Sequence, residues 1–207
     1  MNLSEPDYWM LAIEQLSQVD PTMTTLIAHH PHGCMQSRGD AFTTLARAIT
    51  GQQISVKAAD TVWQRLINLT PITPKAVAAQ SVECLRSCGY SRRKVEYLHD
   101  LARHFCDGLI DPAAWPGMDD SCIINALTKI HGIGVWSAEM FLMFNLLRPD
   151  VLPLDDIGLQ KAIRLHYPEL SLHSKVGLRN YAQRWRPWRT VATWYLWRSL
   201  DPVAVAY

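Results

Sequence analysis

The sequence predicts an all-α protein, on three observations. Apolar residues recur at helical spacing along nearly the whole chain, no sustained period-two alternation is present, and helix-capping side chains stand in front of most of the apolar runs. The 207 residues are 48% hydrophobic and 19% charged, enough apolar material for one ample core or two small lobes and too much for a disordered chain. No internal repeat is found.

In chain order, Asp40 is a candidate N-cap for a helix whose Phe42, Leu45 and Ile49 share a face, with Gly51 as a break. Val56, Ala59, Val62, Leu66 and Leu69 continue a second amphipathic stretch that stops before Pro71. Thr73-Pro74 reads as N-cap plus first helical residue. Ser81 opens another short helix, ended by a left-handed glycine at Gly89, and Ser91 caps the next, with Val95, Leu98, Leu101, Ala102 and Phe105 on one face. The Gly/Pro-rich segment 106–118 is a connection with room for one helical turn. Asp119 or Asp120 then caps a helix through Ile130, HGIG (131–134) interrupts, and a long apolar helix runs from Trp136 to Leu147. Arg148-Pro149-Asp150 ends it, Val151 to Leu154 is extended, and another helix begins near Asp155-Asp156. The last helix spans Trp188 to Leu200, behind Pro187.

Twenty Lys/Arg nearly cancel nineteen Asp/Glu, for a net charge of +1, which excludes a protein uniformly coated in positive charge. The charge is nonetheless split, −5 over residues 1–156 and +6 over 157–207. The basic quarter offers Lys161, Arg164, Lys175, Arg179, Arg184, Arg186 and Arg189 to a polyanion if folding gathers them. Five cysteines without a Cys-x-x-Cys pair, no basic-then-apolar leader and no long apolar span predict a cytoplasmic protein without disulfides or membrane segments. His29, His30, His32 and Cys34 form one cluster of metal-binding types with no second cluster to complete a site, so no metal and no cofactor is expected.

The segment LTKIHGIGVWSAEMF (127–141) carries the strongest local signal. Gly132 and Gly134 around Ile133 permit a tight hairpin with exposed N–H groups, anchored by Ile133, at the start of a helix whose dipole suits a phosphate. A plain αα-hairpin has the same pattern. Asp155 and Asp156 follow the hairpin by one helix and an extended return. A carboxylate there is able to stabilise a cationic sugar or orient a water. Either aspartate also serves as a simple N-cap, the better description of Asp155.

The hairpin followed by an aspartate resembles the helix-hairpin-helix DNA glycosylase superfamily, and within it the alkylation-repair, DNA-3-methyladenine glycosylase II branch. FTTLARAITGQQISVKAADTVWQRL (42–66), CGYSRRKVEYLHDLA (88–102) and RWRPWRTVATWYLW (184–197) carry the narrower resemblance, which spans about residues 38 to 200. The resemblance implies a two-lobed fold with its active site in the interlobe cleft. Residues 1–207 would be one glycosylase unit, with a central lobe of about 42–150 and a second lobe of about 1–41 plus 151–207. It would be a minimal version without an extra N-terminal β domain.

The resemblance also assigns roles. Asp156 becomes the catalytic aspartate, Gly132, Ile133 and Gly134 the phosphate-binding hairpin, Gln53 the side chain inserted where a nucleotide is extruded, and Lys57 a backbone contact. A polar loop residue capping the next helix is the plainer description of Gln53. Trp136, Met140 and Trp197 fall at base-pocket positions; a relative carries Tyr where this chain has Met140, which leaves the base preference open. Aromatic walls suit alkylated purines because those bases are cationic. Trp136 occupies the place of the Schiff-base lysine of bifunctional members, so base hydrolysis without strand cleavage is implied. The absence of cysteine after Cys122 departs from iron–sulfur members. The expected partner is double-stranded DNA containing alkylated bases, bound by a monomer. The alternatives are a glycosylase for oxidised or mismatched bases and a non-catalytic DNA-binding module.

Overall fold

The computed structural model describes residues 6–37, 39–168 and 174–200, and every regular element among them is helical. The chain divides into two compact units: a contiguous one over residues 38–141, and one built from residues 1–37 together with 142–207. The sequence-based boundaries of 41/42 and 150/151 compare with these at 37/38 and 141/142.

The contiguous unit holds α3 (Ala41–Gly51), α4 (Val56–Leu69), α5 (Pro74–Ala78), α6 (Val82–Ser87), α7 (Arg92–Cys106) and α8 (Asp120–Leu127). Four of these begin as their sequence dictates. The side chains of Asp40, Thr73, Ser81 and Ser91 each accept a backbone N–H from the first turn. Gly89 takes φ 108 behind α6, where Val62 Cγ2 would lie 3.1 Å from an added Cβ. The helix α7 packs against α3, α5 and α6; Val95, Leu98, Leu101 and Ala102 on it are buried, as are Leu45, Ile49, Val77 and Leu85 on its neighbours. Phe105 meets Phe42 edge to face at 5.4 Å. The Gly/Pro-rich connection contains one 3-10 turn, Pro112–Gly117, which buries Trp115 against Phe141.

The other unit holds α1 (Trp9–Val19), α2 (Pro21–His29), α10 (Ile157–His166), α11 (Lys175–Tyr181) and α12 (Arg189–Arg198), and α12 packs on α1, α2 and α10. Its core contains the fully buried Trp9, Trp185 and Tyr195. A buried carboxylate organises it: Asp20 Oδ1 caps α2 through Thr22 and Met23 N–H, while Oδ2 accepts from Tyr167 Oη at 3.0 Å and Trp185 Nε1 at 2.8 Å. Four donors offset the desolvation of that charge. The sequence reading made no element assignment for α1, α2 or α11.

The apolar helix α9 (Val135–Phe144) is shorter than the span of 136–147 expected from its composition. Leu147 adopts φ 52, and the carbonyls beyond the helix end are taken by distant hydroxyls, Asn145 O by Ser37 Oγ at 2.9 Å and Leu147 O by Tyr8 Oη at 2.7 Å. Such partners compete with further helical turns and are invisible to local periodicity.

Candidate active site

The segment joining α8 to α9 folds as the expected hairpin. Ile133 is buried, and its N–H donates to Ile130 O at 3.1 Å, so it anchors the turn. Gly132 sits at φ 87 over the ring of Tyr97, where a Cβ would lie 2.7 Å from Cε2 and closer still to Cγ and Cδ2. Glycine is therefore required twice, by backbone angle and by contact. At Gly134 an added Cβ would meet nothing within 4 Å, so packing inside the protein does not demand glycine there. Among the described residues, neither the Gly132 nor the Gly134 N–H has a backbone acceptor. The latter opens α9, where N–H groups point along the helix axis with the positive end of the dipole. The hairpin is held from α7 by Asp100, whose Oδ2 accepts His131 N–H at 2.8 Å. Burial pushes the Asp100 carboxyl up, but bonds from His131 N–H and Arg103 and nearby histidine charge outweigh it and hold it below the usual value.

In the GQQIS loop, Gln53 has φ 58 and an exposed side chain. The cap of α4 is Ser55, whose Oγ accepts Ala58 N–H, so the plainer description of Gln53 as a capping residue is corrected. Its neighbour Gln52 had no assigned part, yet Gln52 Nε2 donates to Gly132 O at 2.8 Å and ties the loop to the hairpin. Lys57 is exposed in the first turn of α4.

Asp156 is buried, 5% exposed, and is the N-cap of α10: its Oδ1 accepts Leu159 N–H at 2.6 Å. Trp197 Nε1 donates to the same oxygen at 2.8 Å. Two donors on one oxygen fix the orientation of the carboxylate. Gly158 makes the approach possible, since a Cβ there would lie 3.1 Å from Asp156 Oδ1 and 3.3 Å from Trp197 Nε1. Trp197 is itself buried and stacks on Phe144 at 6.0 Å and 13°. The expectation that Asp155 is simply an N-cap is overturned: Asp155 is exposed and pairs with Lys175, and Asp156 occupies the cap. Asp156 thus begins the helix with a buried carboxylate.

Trp136 and Met140 lie one turn apart on α9, the first exposed and the second buried. Other tryptophans are packing residues, including Trp115, Trp194 and Trp185 in cores, Trp63 beneath Arg47, and Trp188 on Tyr8 with its N–H on Gln15. Several basic residues are engaged within the protein. Lys94 donates to Thr50 O at 2.7 Å with its ammonium below the usual lysine value through burial, and Arg186 and Arg189 bind Asp150.

The family model described as HhH-GPD superfamily base excision DNA repair protein matches residues 46–187, which contain the hairpin, the GQQIS loop and Asp156. The chain belongs to this superfamily. Among HhH-GPD relatives, it is 31% identical over 176 residues to DNA-3-methyladenine glycosylase 1 of Schizosaccharomyces pombe, covering 83% of this chain and 77% of that protein. The crystal structure of DNA-3-methyladenine glycosidase from Bacillus halodurans superposes with a TM-score of 0.84 at 32% identity, over 91% of this chain and 88% of the other. Schizosaccharomyces pombe Mag1, a 3-methyladenine DNA glycosylase solved in complex with abasic DNA, superposes with a TM-score of 0.78 at 29% identity, over 95% of this chain and all of the other. The all-α HhH-GPD fold expected from the residues is thus found in proteins solved independently.

The sequence reading missed Gln52, Tyr97, Asp100 and Gly158. Gln52, Tyr97 and Asp100 stand inside stretches already singled out, but their partners in the hairpin lie more than 30 residues away and leave no local sign.

Proposed function

We propose that this protein is a monofunctional DNA glycosylase of base excision repair that releases alkylated bases of the 3-methyladenine and 7-methylguanine type. The observation that carries the reading is the buried Asp156 carboxylate, held by a helix amide and an indole N–H in a chain of the HhH-GPD superfamily. The contiguous unit supplies the grip on DNA: the Gly132 and Gly134 amides bind a backbone phosphate without formal positive charge, and Gln53 enters the duplex as the damaged nucleotide leaves it. The extruded base stacks on aromatic and sulfur-bearing side chains, among which Trp136 and Met140 lie one turn apart on α9. Asp156 stabilises the positive charge that develops on the sugar as the C1′–N bond breaks. The bond's electron pair leaves with the purine and neutralises its alkyl-induced charge, water adds at C1′, and one proton is released. Trp136 offers no amine, so no Schiff base forms and the abasic strand stays intact.

The test is incubation with methylated duplex DNA, with the released bases identified by chromatography and the strand examined before and after heating in alkali. Base release with strand breaks only after heating is the expected result. Asp156→Asn is expected to bind the same duplex and lower release by a factor on the order of a hundred or more, as for loss of a principal electrostatic group. Release that survives this substitution would remove Asp156 from the mechanism, and binding without release by the unaltered protein would leave a DNA-binding module.

A further inference from the structure

The GQQIS loop and the hairpin, 80 residues apart in sequence, are joined by the Gln52 amide on Gly132 O. Both sides of that contact are braced. Lys94 Nζ holds Thr50 O at 2.7 Å, the Thr50 hydroxyl shares a 2.7 Å hydrogen bond with Tyr90 Oη, and both interactions fix the end of α3 from which the loop departs. On the hairpin side, Asp100 holds His131 N–H and the Tyr97 ring lies against Gly132.

The consequence for the hairpin is local and geometric. The peptide plane between Gly132 and Ile133 is pinned on both edges, its carbonyl by Gln52 and its N–H by Ile130 O. That plane lies between the Gly132 and Gly134 amides. The consequence for the loop is that Gln53, in a left-handed conformation that a residue with a Cβ adopts at a cost, is directly preceded by a residue anchored to the hairpin.

We propose that Gln52 is a positioning residue that holds Gln53 in register with the phosphate-binding hairpin, coupling capture of the backbone to extrusion of the nucleotide. The proposal rests on the reading of Gln53 as the inserted side chain. An inserting group must push against base stacking, and a loop tethered only at its ends would yield. The Gln52–Gly132 bond transfers that load to the hairpin.

The variant Gln52→Met keeps length and bulk and removes the donor; Gln52→Glu does the same with a carboxylate and serves if the first fails to fold by circular dichroism. Two readouts are compared with the unaltered protein. The first is fluorescence of 2-aminopurine beside a lesion, which rises on unstacking and needs no bond cleavage. The second is single-turnover release from a lesion in a normal pair and from the same lesion opposite an abasic site, where little unstacking remains. The variant is expected to lose the fluorescence rise and to release the paired lesion about tenfold more slowly, the size of effect one hydrogen bond supports, with a deficit under roughly threefold on the unpaired lesion. Combined with Gln53→Ala it should add nothing to the loss from Gln53→Ala alone. A fluorescence rise equal to that of the unaltered protein, equal deficits on both lesions, or additivity with Gln53→Ala would each overturn the proposal. Failure of the unaltered protein to release any base, with its fluorescence rise present and lost in the variant, overturns the glycosylase reading and leaves the coupling standing.

Discussion

Phenylalanine at position 197 would retain a ring against Phe144 and remove the indole N–H that Asp156 Oδ1 accepts. The sequence suggested Trp197 only as a wall of the base pocket, and the structure places its indole N–H on the Asp156 carboxylate. The two parts separate experimentally. A hydrogen bond to a charged group contributes about 1.5–3 kcal/mol, so Trp197→Phe is expected to slow single-turnover base release by about tenfold or more while duplex affinity changes less than roughly threefold. A weaker grip on the lesion with an unchanged rate would reduce Trp197 to a stacking surface. Asp156 was singled out over Asp155 through the family resemblance alone, since both aspartates stand behind the glycine hairpin and before a helix. Its hydrogen-bond partners were not legible, since the approach of Trp197 and the need for glycine at 158 arise only when α12 lies beside the start of α10.

The helix α12 holds the chain that leads to Asp156 at two places. Near its start, Thr190 Oγ1 accepts Val151 N–H at 2.9 Å and donates to Arg148 O at 2.6 Å, and Arg189 binds both carboxylate oxygens of Asp150 at 2.6 and 2.9 Å. Seven residues on, about 10 Å along the axis, Trp197 holds Asp156. Thr190→Val preserves the shape and leaves Val151 N–H and Arg148 O without this partner, which is expected to cost about 1–3 kcal/mol in urea denaturation. Thr190→Ser keeps the hydroxyl and should lose less; an equal loss in both variants would assign the effect to the methyl group. Elements in this protein were readable where their causes are local. Asp40, Thr73, Ser81 and Ser91 cap helices as their neighbours in sequence dictate, whereas the end of α9 is set by hydroxyls from residues 8 and 37. Asp20-Pro21 shows that local signal sometimes goes unread: an N-cap followed by proline at the first helical position opens α2.

Part of the positive charge in the basic quarter is engaged within the protein. Of the seven basic residues singled out between 161 and 189, Lys175, Arg186 and Arg189 are engaged by Asp155 or Asp150. With the hairpin binding through uncharged amides, the slope of log affinity against log salt is expected to be shallow, about −2 to −4, measurable by fluorescence anisotropy. A slope near −8 would require an extensive cationic surface. Stability depends on acid through a different group. Burial lowers the His166 pKa below its ordinary value, and its Nε2 lies 2.7 Å from Ser199 Oγ. As pH falls through the ordinary histidine range the unfolded chain takes up a proton before the folded one does, so stability declines until the lowered folded value is passed. Melting temperature should therefore fall between about pH 7 and pH 5, and His166→Gln should flatten that fall; an unchanged slope would exclude His166 as its source.

The division of the chain also sets an order of assembly. The unit with the hairpin and the GQQIS loop is one uninterrupted stretch, while its companion needs residues near the start of the chain and residues beyond 142. On the ribosome, the unit proposed to hold DNA is complete in sequence before Asp156 is translated, and Trp197, which donates to that carboxylate, comes 41 residues later still. On the proposed roles, a growing chain acquires the means to hold a duplex before it acquires the group that acts on its glycosidic bond.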